Sequence, residues 1–494
     1  MFWLGIDIGT GGSRALLIDE QGKVRHSYTA PHDDMKMERP MWAEQDPDNW
    51  WSAAAAAIRG VLGDAKATGE EIAGVGLSGQ MHGLTLLDEA DRVIRPALIW
   101  CDQRSQAQVD WINSTAGRQM VLDCTANPVL TGFTLPKLLW VRDNEPQNYA
   151  RVRHVLLPKD YIRFKLTGEY ASDVSDASGT AMFDVVRRKW SQALAAKLDI
   201  DRTILPYVYE SPDVSGRVSE CAATATGLKA GTPVVGGAGD QAASAGGNGI
   251  VEPGVVSCTI GTSGVVFAHT DKPAYDADGR VHTFCHAVPG AWHVMGVTQG
   301  AGLSLQWFRN QLAPGAEYDA LTAEAATSAV CSQGLYWLPY LMGERTPHLD
   351  AYARGGWVGL TAKHRGPALI EGVSFSQKDC LDIIEQMGVA VESVRVSGGG
   401  ARSAFWRQML ADVFAKPVVT LETQEGSAYG AALLAMVGTR VYATVPEACR
   451  AVVRETERVE SRSWEAQQYA RGHQVYKALY PALKPIYGLI HNAG

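Results

Sequence analysis

Gly236 to Gly264 reads GGAGDQAASAGGNGIVEPGVVSCTIGTSG and lies at the middle of a chain of 494 residues. The residues before it, Thr232 to Val235, predict a short buried strand. That strand runs into Gly236-Gly237-Ala238-Gly239, where the backbone can turn with positive φ or lie against a ligand. Asp240 and Gln241 follow, and Ala242 to Gly247 predicts a helix of small, closely packed residues. A second strand, Gly254 to Ile260, ends in Gly261-Thr262-Ser263-Gly264. One carboxylate therefore stands between two glycine turns, each at a strand end. Two readings of Asp240 are open at this point: the N-cap of the helix after it, or the reactive carboxylate of a site.

Working outward, Val255 to His269, VVSCTIGTSGVVFAH, is strand, glycine turn, strand. The N-terminus repeats it. Phe2 to Ile8, FWLGIDI, predicts a buried strand with Asp7 near its end, followed by Gly9-Thr10-Gly11-Gly12-Ser13-Arg14 and a strand from Ala15 to Asp19. This is a hairpin, and its spacing fits neither a dinucleotide fingerprint nor a Walker loop. Its backbone N–H groups and hydroxyls can still face phosphate. Two such hairpins, one opening each half, indicate an internal duplication, and two similar lobes would clamp one polyphosphate from both sides.

Between them, Asp46-Pro47 caps a helix reaching Gly63. Ile72 to Leu77 predicts a strand ending in Ser78-Gly79-Gln80-Met81-His82-Gly83, and Ala97 to Trp100 another. Polar groups after buried strands are where α/β proteins place ligands; the alternative for Met81 and His82 is a core methionine and a solvated histidine. Residues 132–144, GFTLPKLLWVRDN, predict a helix entered at Pro136. The polar segment Ser172 to Thr180 predicts a loop. Gly334 to Gly343 is apolar and leads to Glu344-Arg345-Thr346-Pro347-His348. Val391 to Val396 predicts a strand, then Gly398-Gly399-Gly400, then a helix ending at Lys416-Pro417. A triglycine there admits a flat ligand or phosphate or is a structural turn. Residues 463–488 predict a helix until Pro485. In HTFCHAVPGAWH (282–293), alternation favours a strand with side chains on opposite faces over a metal site.

The length allows roughly three average domains or two larger lobes. A net charge of −8 argues against a nucleic-acid or anionic-membrane surface. The eight cysteines are dispersed, with no CxxC pair, which predicts free thiols in a reducing compartment. The N-terminus lacks the basic and apolar regions of a signal peptide, and no uncharged apolar run reaches the ~18 residues of a membrane span. A cytoplasmic location is expected.

DIGTGGSR, SGQMHG, GFTLPKLLWVRDN, GAGDQAA, IGTSG and SGGGARSAFWRQMLADV occur in that order, and together they resemble the FGGY family of carbohydrate kinases over nearly the whole chain. The resemblance implies an α/β fold of two actin-like (ribonuclease H-like) ATPase lobes, each with a mixed five-stranded sheet, and ATP and sugar in the cleft between them. It implies lobes over residues 1–237 and 238–494. Thr10, Gly11, Gly12, Gly261, Thr262 and Ser263 would hold phosphates, with Arg14 near the transferred one, and Gly398, Gly399 and Gly400 the adenosine. Asp7 would help hold Mg²⁺. Asp240 would be the catalytic base, and Met81, His82 and Gln241 sugar contacts. QMHG, with Trp42 to Pro47 and Leu157 to Asp160, resembles the members that phosphorylate D-xylulose. Other sugars and polyols of the same family are the first alternative. A chaperone-like ATPase with protein partners is the second. No nucleic-acid or membrane partner is implied, and a homodimer is left open. Lys363 to Gly372 reads several residues shorter than the family pattern.

Overall fold

Apolar residues dominate Phe2–Ile8 (β1), which pairs antiparallel with Gly12–Ile18 (β2) across the glycine turn, Asp7 facing Arg14 in register. Val24–Pro31 (β3) extends this meander. The helix Pro47–Ala65 (α1) starts where Asp46 accepts a hydrogen bond from Asp48 N and Pro47 needs no partner. It crosses over to Ile72–Gly79 (β4), which runs parallel to β1. Val214–Arg217 (β5), Pro233–Val235 (β6) and Ala238–Gly239 (β7) complete a seven-stranded sheet, ordered β5-β6-β4-β1-β2-β3, with β7 also paired to β4. This computed structural model describes residues 1–361, 369–423 and 425–493; Lys363 to Ala368, within the stretch read as short, lie outside them.

The second half repeats the design. Gly254–Ile260 (β8), Gly264–Thr270 (β9), His282–Cys285 (β10), Trp292–Thr298 (β11), Val391–Ser397 (β12), Val418–Leu421 (β13) and Glu455–Val459 (β14) form a sheet ordered β10-β11-β9-β8-β12-β13-β14. Strand for strand, β11-β9-β8-β12-β13-β14 matches β3-β2-β1-β4-β6-β5, with the same parallel and antiparallel pairings. The duplication predicted from the two turns is present. Each sheet has seven strands instead of five: six repeat between the halves, and one short strand is added to each, β7 beside β4 and β10 at the edge.

Three local expectations change. Thr134–Asn144 (α2) starts before Pro136, which sits in the first turn where an N–H has no intrahelical partner anyway. Pro158–Thr167 (α3) precedes the segment expected as a loop. That segment is instead strand, the short helix Val174–Ala177 (α4) and a 3₁₀ turn, all buried. Its polar residues are internal because they are paired: Lys159 Nζ lies 2.5 Å from Asp160, 3.0 Å from Asp173 and 3.6 Å from Asp176.

Asp240–Gly247 (α5) links the two sheets. Ala404–Phe414 (α6) follows the triglycine. Gly426–Gly438 (α7) belongs to the second half in sequence but packs on the first sheet: a Cβ on Gly5 or Gly76 would stand 1.9 Å from the carbonyl oxygen of Ala428 or Ala431. The terminal helix Ser463–Ala493 (α8) runs through Pro481 and past Pro485. Burial of Tyr469, Tyr476, Tyr480 and Tyr487 outweighs the hydrogen bonds those prolines remove.

The α5–α7 contact makes a prediction. A Cβ on Gly430 would meet the Ala243 carbonyl oxygen at 1.8 Å, whereas one on Gly63 of α1 would meet nothing within 4 Å. Gly430→Ala should destabilise by about 1–3 kcal/mol or more, and Gly63→Ala should be neutral or stabilising by up to ~1 kcal/mol. Equal denaturation midpoints for the two variants would contradict the packing described.

Candidate active site

The first turn is held by a chain of glutamines. Gln80 N donates to Ile8 O at 2.8 Å, Thr10 Oγ1 to Gln80 Oε1 at 3.3 Å, and Gln45 Nε2 to Thr10 O at 2.8 Å. Gln80 Nε2 and Trp50 Nε1 both donate to Gln45 Oε1, at 3.0 and 3.1 Å. Trp100 Nε1 donates to Thr10 Oγ1 at 3.0 Å. The second turn is anchored by Ala301 N and Leu303 N, which donate to Thr262 O at 3.0 and 3.1 Å. A Cβ at Gly11 or Gly399 would meet nothing within 4 Å, and at Gly261 only Ser263 O at 3.6 Å. Those three positions have open space beside the backbone. Gly398 and Gly400 differ: a Cβ there would strike Ile260 at 2.5 and 2.6 Å, and Gly398 has φ +82°. Close packing on β8 accounts for these two glycines and not for Gly399.

Asp7 ends β1. Its Oδ1 is buried with no hydrogen-bond partner among the described residues. Burial pushes its carboxyl up from the ordinary range, against the pull of Ser78 and of Arg14. Arg14 is paired with Glu425. Asp240 is the first residue of α5; Gly239 occupies the N-cap, and no side-chain cap bond forms. The N-cap reading of Asp240 therefore fails. Burial first, and then the charge on Asp7, push the Asp240 carboxyl up to about 7. Perturbation of this kind in a cleft marks a functional candidate.

Met81 is buried, as its core reading allows, but it also lines the cleft. His82 is not a solvated surface histidine. It has φ +68°, and its ring packs on Phe133 at 4.7 Å. Burial lowers its pKa to about 3, so the ring is neutral. Its Nδ1 lies 2.7 Å from Gly179 O. A carbonyl only accepts, so Nδ1 carries the proton and Nε2 is left as an acceptor. Lys137 Nζ fixes the backbone here, donating to His82 O at 3.0 Å and Gly132 O at 2.7 Å.

One cleft brings many of these groups together, about 950 Å³ counting the solvent at its mouth. From the first half come Gly9, Thr10, Gln80, Met81, His82, Trp100 and Phe133, and from the start of α5 Asp240 and Gln241. The second half supplies Ser263, Val265, Met295, Val297 and Arg345. Of the residues singled out from sequence, Thr10, Met81, His82, Asp240, Gln241 and Ser263 line it. Asp7, Gly11, Gly12, Arg14, Gly261, Thr262 and Gly398 to Gly400 do not. Sequence reading missed Gln80, Trp100, Phe133 and Arg345, although Gln80 stands inside a motif it quoted. It also missed the support behind Asp240. Gly239 N donates to Ser175 Oγ at 3.1 Å, and Ser175 Oγ to Asp173 at 2.6 Å, which joins the loop to the buried Lys159 cluster.

The HTFCHAVPGAWH segment does form β10, with His282 stacked on Phe284 and His286 bonded to Ile250 O at 2.9 Å. Among the described residues no three His, Cys, Asp or Glu side chains converge as a metal cage.

Comparison with known proteins agrees with this architecture. Residues 2–247 match the N-terminal domain, and residues 256–439 the C-terminal domain, of the FGGY family of carbohydrate kinases. The chain is 38% identical to a xylulose kinase of Escherichia coli K12, over 98% of this chain and 99% of that one. Among solved structures it is similar to a "xyloylose kinase" from Brucella ovis, with TM-score 0.92 and 38% identity over 98% of this chain and 100% of that one. It is also similar to a gluconate kinase from Lactobacillus acidophilus, with TM-score 0.93 and 26% identity over 99% of each. Repeated lobes, paired glycine turns and a full-length match place the chain in the FGGY family of carbohydrate kinases, with its two-lobe actin-like fold.

Proposed function

We propose that this enzyme transfers the γ-phosphoryl group of ATP to D-xylulose, giving ADP and D-xylulose 5-phosphate. The observation that carries the reading is Asp240: a half-buried carboxyl, pushed up to about 7, on a cleft wall shared with Met81 and His82. The similarity to xylulose kinases over nearly the full chain supports the choice of sugar. The fold alone does not, because the gluconate kinase shares it. No described helix is long and apolar enough to cross a membrane, in keeping with a cytoplasmic kinase.

Phosphoryl transfer depends on positioning and charge neutralisation more than on covalent chemistry. Asp240 accepts the proton of the C5 hydroxyl as its oxygen bonds to phosphorus, and the bond to the leaving ADP oxygen breaks. His82 Nε2 accepts from an inner hydroxyl, Gln241 adds a second polar contact, and Met81 is the apolar wall. The Thr10–Gly12 and Gly261–Ser263 turns hold phosphate oxygens through backbone N–H groups, with Arg14 beside them. Open space at Gly399 suits the adenosine. Asp7 fits Mg²⁺: its orphaned, buried Oδ1 is better satisfied by a cation than by nothing. A single protein carboxylate suffices for an ion that keeps most of its waters. When bound, Mg²⁺ neutralises developing phosphate charge.

Asp240→Asn should fold, bind ATP and lose roughly 10²–10⁴ in kcat. Retention of activity within threefold would remove the base from the mechanism. Because the base acts deprotonated, kcat/KM should fall as pH drops through about 7. Stability changes with the opposite sign. The folded-state pKa is raised above 3.8, so the folded protein holds the extra proton and loses stability as pH rises through about 7. Asp240→Asn should therefore have a higher Tm than the parent at pH 8, with the difference shrinking toward pH 5. An equal Tm difference at both pH values would contradict the shift.

His82→Ala should mainly raise KM for D-xylulose and leave KM for ATP nearly unchanged. In a coupled assay across D-xylulose, D-ribulose, glycerol and gluconate, D-xylulose should have the highest kcat/KM. A higher value for any other sugar moves the enzyme elsewhere in its family.

A further inference from the structure

The loop Glu344 to His348 carries no role in the sequence reading, yet it is firmly attached to the cleft. Thr346 N donates to Val297 O at 3.0 Å, Val297 N to Thr346 Oγ1 at 3.1 Å, and Thr346 Oγ1 to Arg280 O at 2.7 Å. Buried Glu344 accepts from Gln299 N and from Arg345 N through one carboxylate oxygen, both at 2.8 Å. The backbone of Arg345 is thus fixed from both sides, and Arg345 lines the cleft.

Its guanidinium makes no hydrogen bond and no ion pair with any described residue; only its backbone N–H is engaged. Glu344 is close enough to favour its charge, but burial weakens it. Burial chiefly, and to a smaller degree the Arg345 cation, lower the pKa of His82 and His282. Arg345 and His82 line the same cleft, where Phe133 packs on the His82 ring. Arg345 is half-buried; a partly desolvated guanidinium without a protein partner is costly, and a ligand with adjacent oxygens relieves that cost.

We propose that Arg345 is a sugar-binding residue, donating from its planar fork to the substrate oxygens remote from the hydroxyl that Asp240 deprotonates. The proposal rests on the cleft being the sugar site. The C1 hydroxyl and C2 carbonyl of an open-chain ketose are adjacent acceptors, a geometry that suits two parallel N–H donors. Arg345 comes from the second half of the chain and His82 from the first, so the sugar is gripped from both lobes.

The test compares Arg345→Met and Arg345→Lys with the parent enzyme, using the sugar that the parent turns over fastest. Loss of a charged hydrogen bond should raise the KM for that sugar by about ten- to a hundredfold in Arg345→Met. Arg345→Lys, which keeps the charge but not the fork, should fall between. KM for ATP and kcat should stay within threefold. Without ligand, the Tm of Arg345→Met should equal or exceed the parent's, because an unpaired cation has been removed. The parent should also prefer D-xylulose to its analogue lacking O1, 1-deoxy-D-xylulose, and that preference should collapse in Arg345→Met. A raised KM for ATP with an unchanged sugar KM would make Arg345 a phosphate ligand and overturn the proposal. A Tm several degrees lower, with all kinetic constants impaired together, would make it a structural residue and overturn it equally. If the parent prefers another sugar, the D-xylulose reading fails by itself, and the effect of the variants on that sugar's KM still decides the role of Arg345.

Discussion

Helix α7 lies on the first sheet with almost no side chain between the two backbones, and the placement of the reactive groups depends on that contact. Gly5 and Gly76 admit it on β1 and β4, and Gly430 admits α5 on its other side. Asp7 follows Gly5 on β1, and Asp240 opens α5. Ser427, near the start of α7, donates to Asp240 O at 3.1 Å, and Glu425 just before the helix pairs with Arg14. One helix end from the second half thus touches the strand, the helix and the arginine that the proposed mechanism uses. Backbone-to-backbone packing leaves little freedom to adjust, because no side-chain rotamer can absorb a shift.

Charge is managed differently on the two sides of Asp240. Behind it, Lys159 and Arg163 balance Asp160 and Asp173 in a buried cluster, while burial pushes the Asp176 carboxyl well up. Breaking one member of such a cluster leaves an uncompensated buried charge. Its value here is positional: Ser175, held by Asp173, orients the peptide N–H just before Asp240. In front, burial and then the charge on Asp7 raise the cost of ionising Asp240, while Arg14 pulls the Asp7 carboxyl the other way. In the proposed mechanism a metal ion held by Asp7 would lower that cost.

Local signals carried far in this chain. Glycine turns after buried strands located both hairpins, the duplication and the carboxylate between them, because turn chemistry and strand period are short-range properties. Long-range pairing was not legible. Ser172 to Thr180 is polar in composition and buried in fact, since its partner Lys159 is brought in by α3. The path of α8 through Pro481 and Pro485 is settled by its buried tyrosines, and the crossing of α7 onto the first sheet by glycines in β1 and β4. Arg345 had no local mark at all: an arginine after an apolar run is ordinarily solvated. Only the strand it is tied to shows that it enters the cleft.

Gln80, Met81 and His82 follow the end of β4 in succession. Gln80 is bonded to Gly9 and Thr10 of the first turn, while Met81 and His82 line the cleft. Three residues of extended chain span at most ~10 Å. In the proposed mechanism the cleft thus has a built-in ruler: the distance from the turn that would hold phosphate to the residues that would grip the sugar is set by covalent bonds rather than by loops that can drift. On that reading sugars would be measured against that length, and a change in preferred chain length would require rebuilding the chain just after the strand rather than exchanging a single contact.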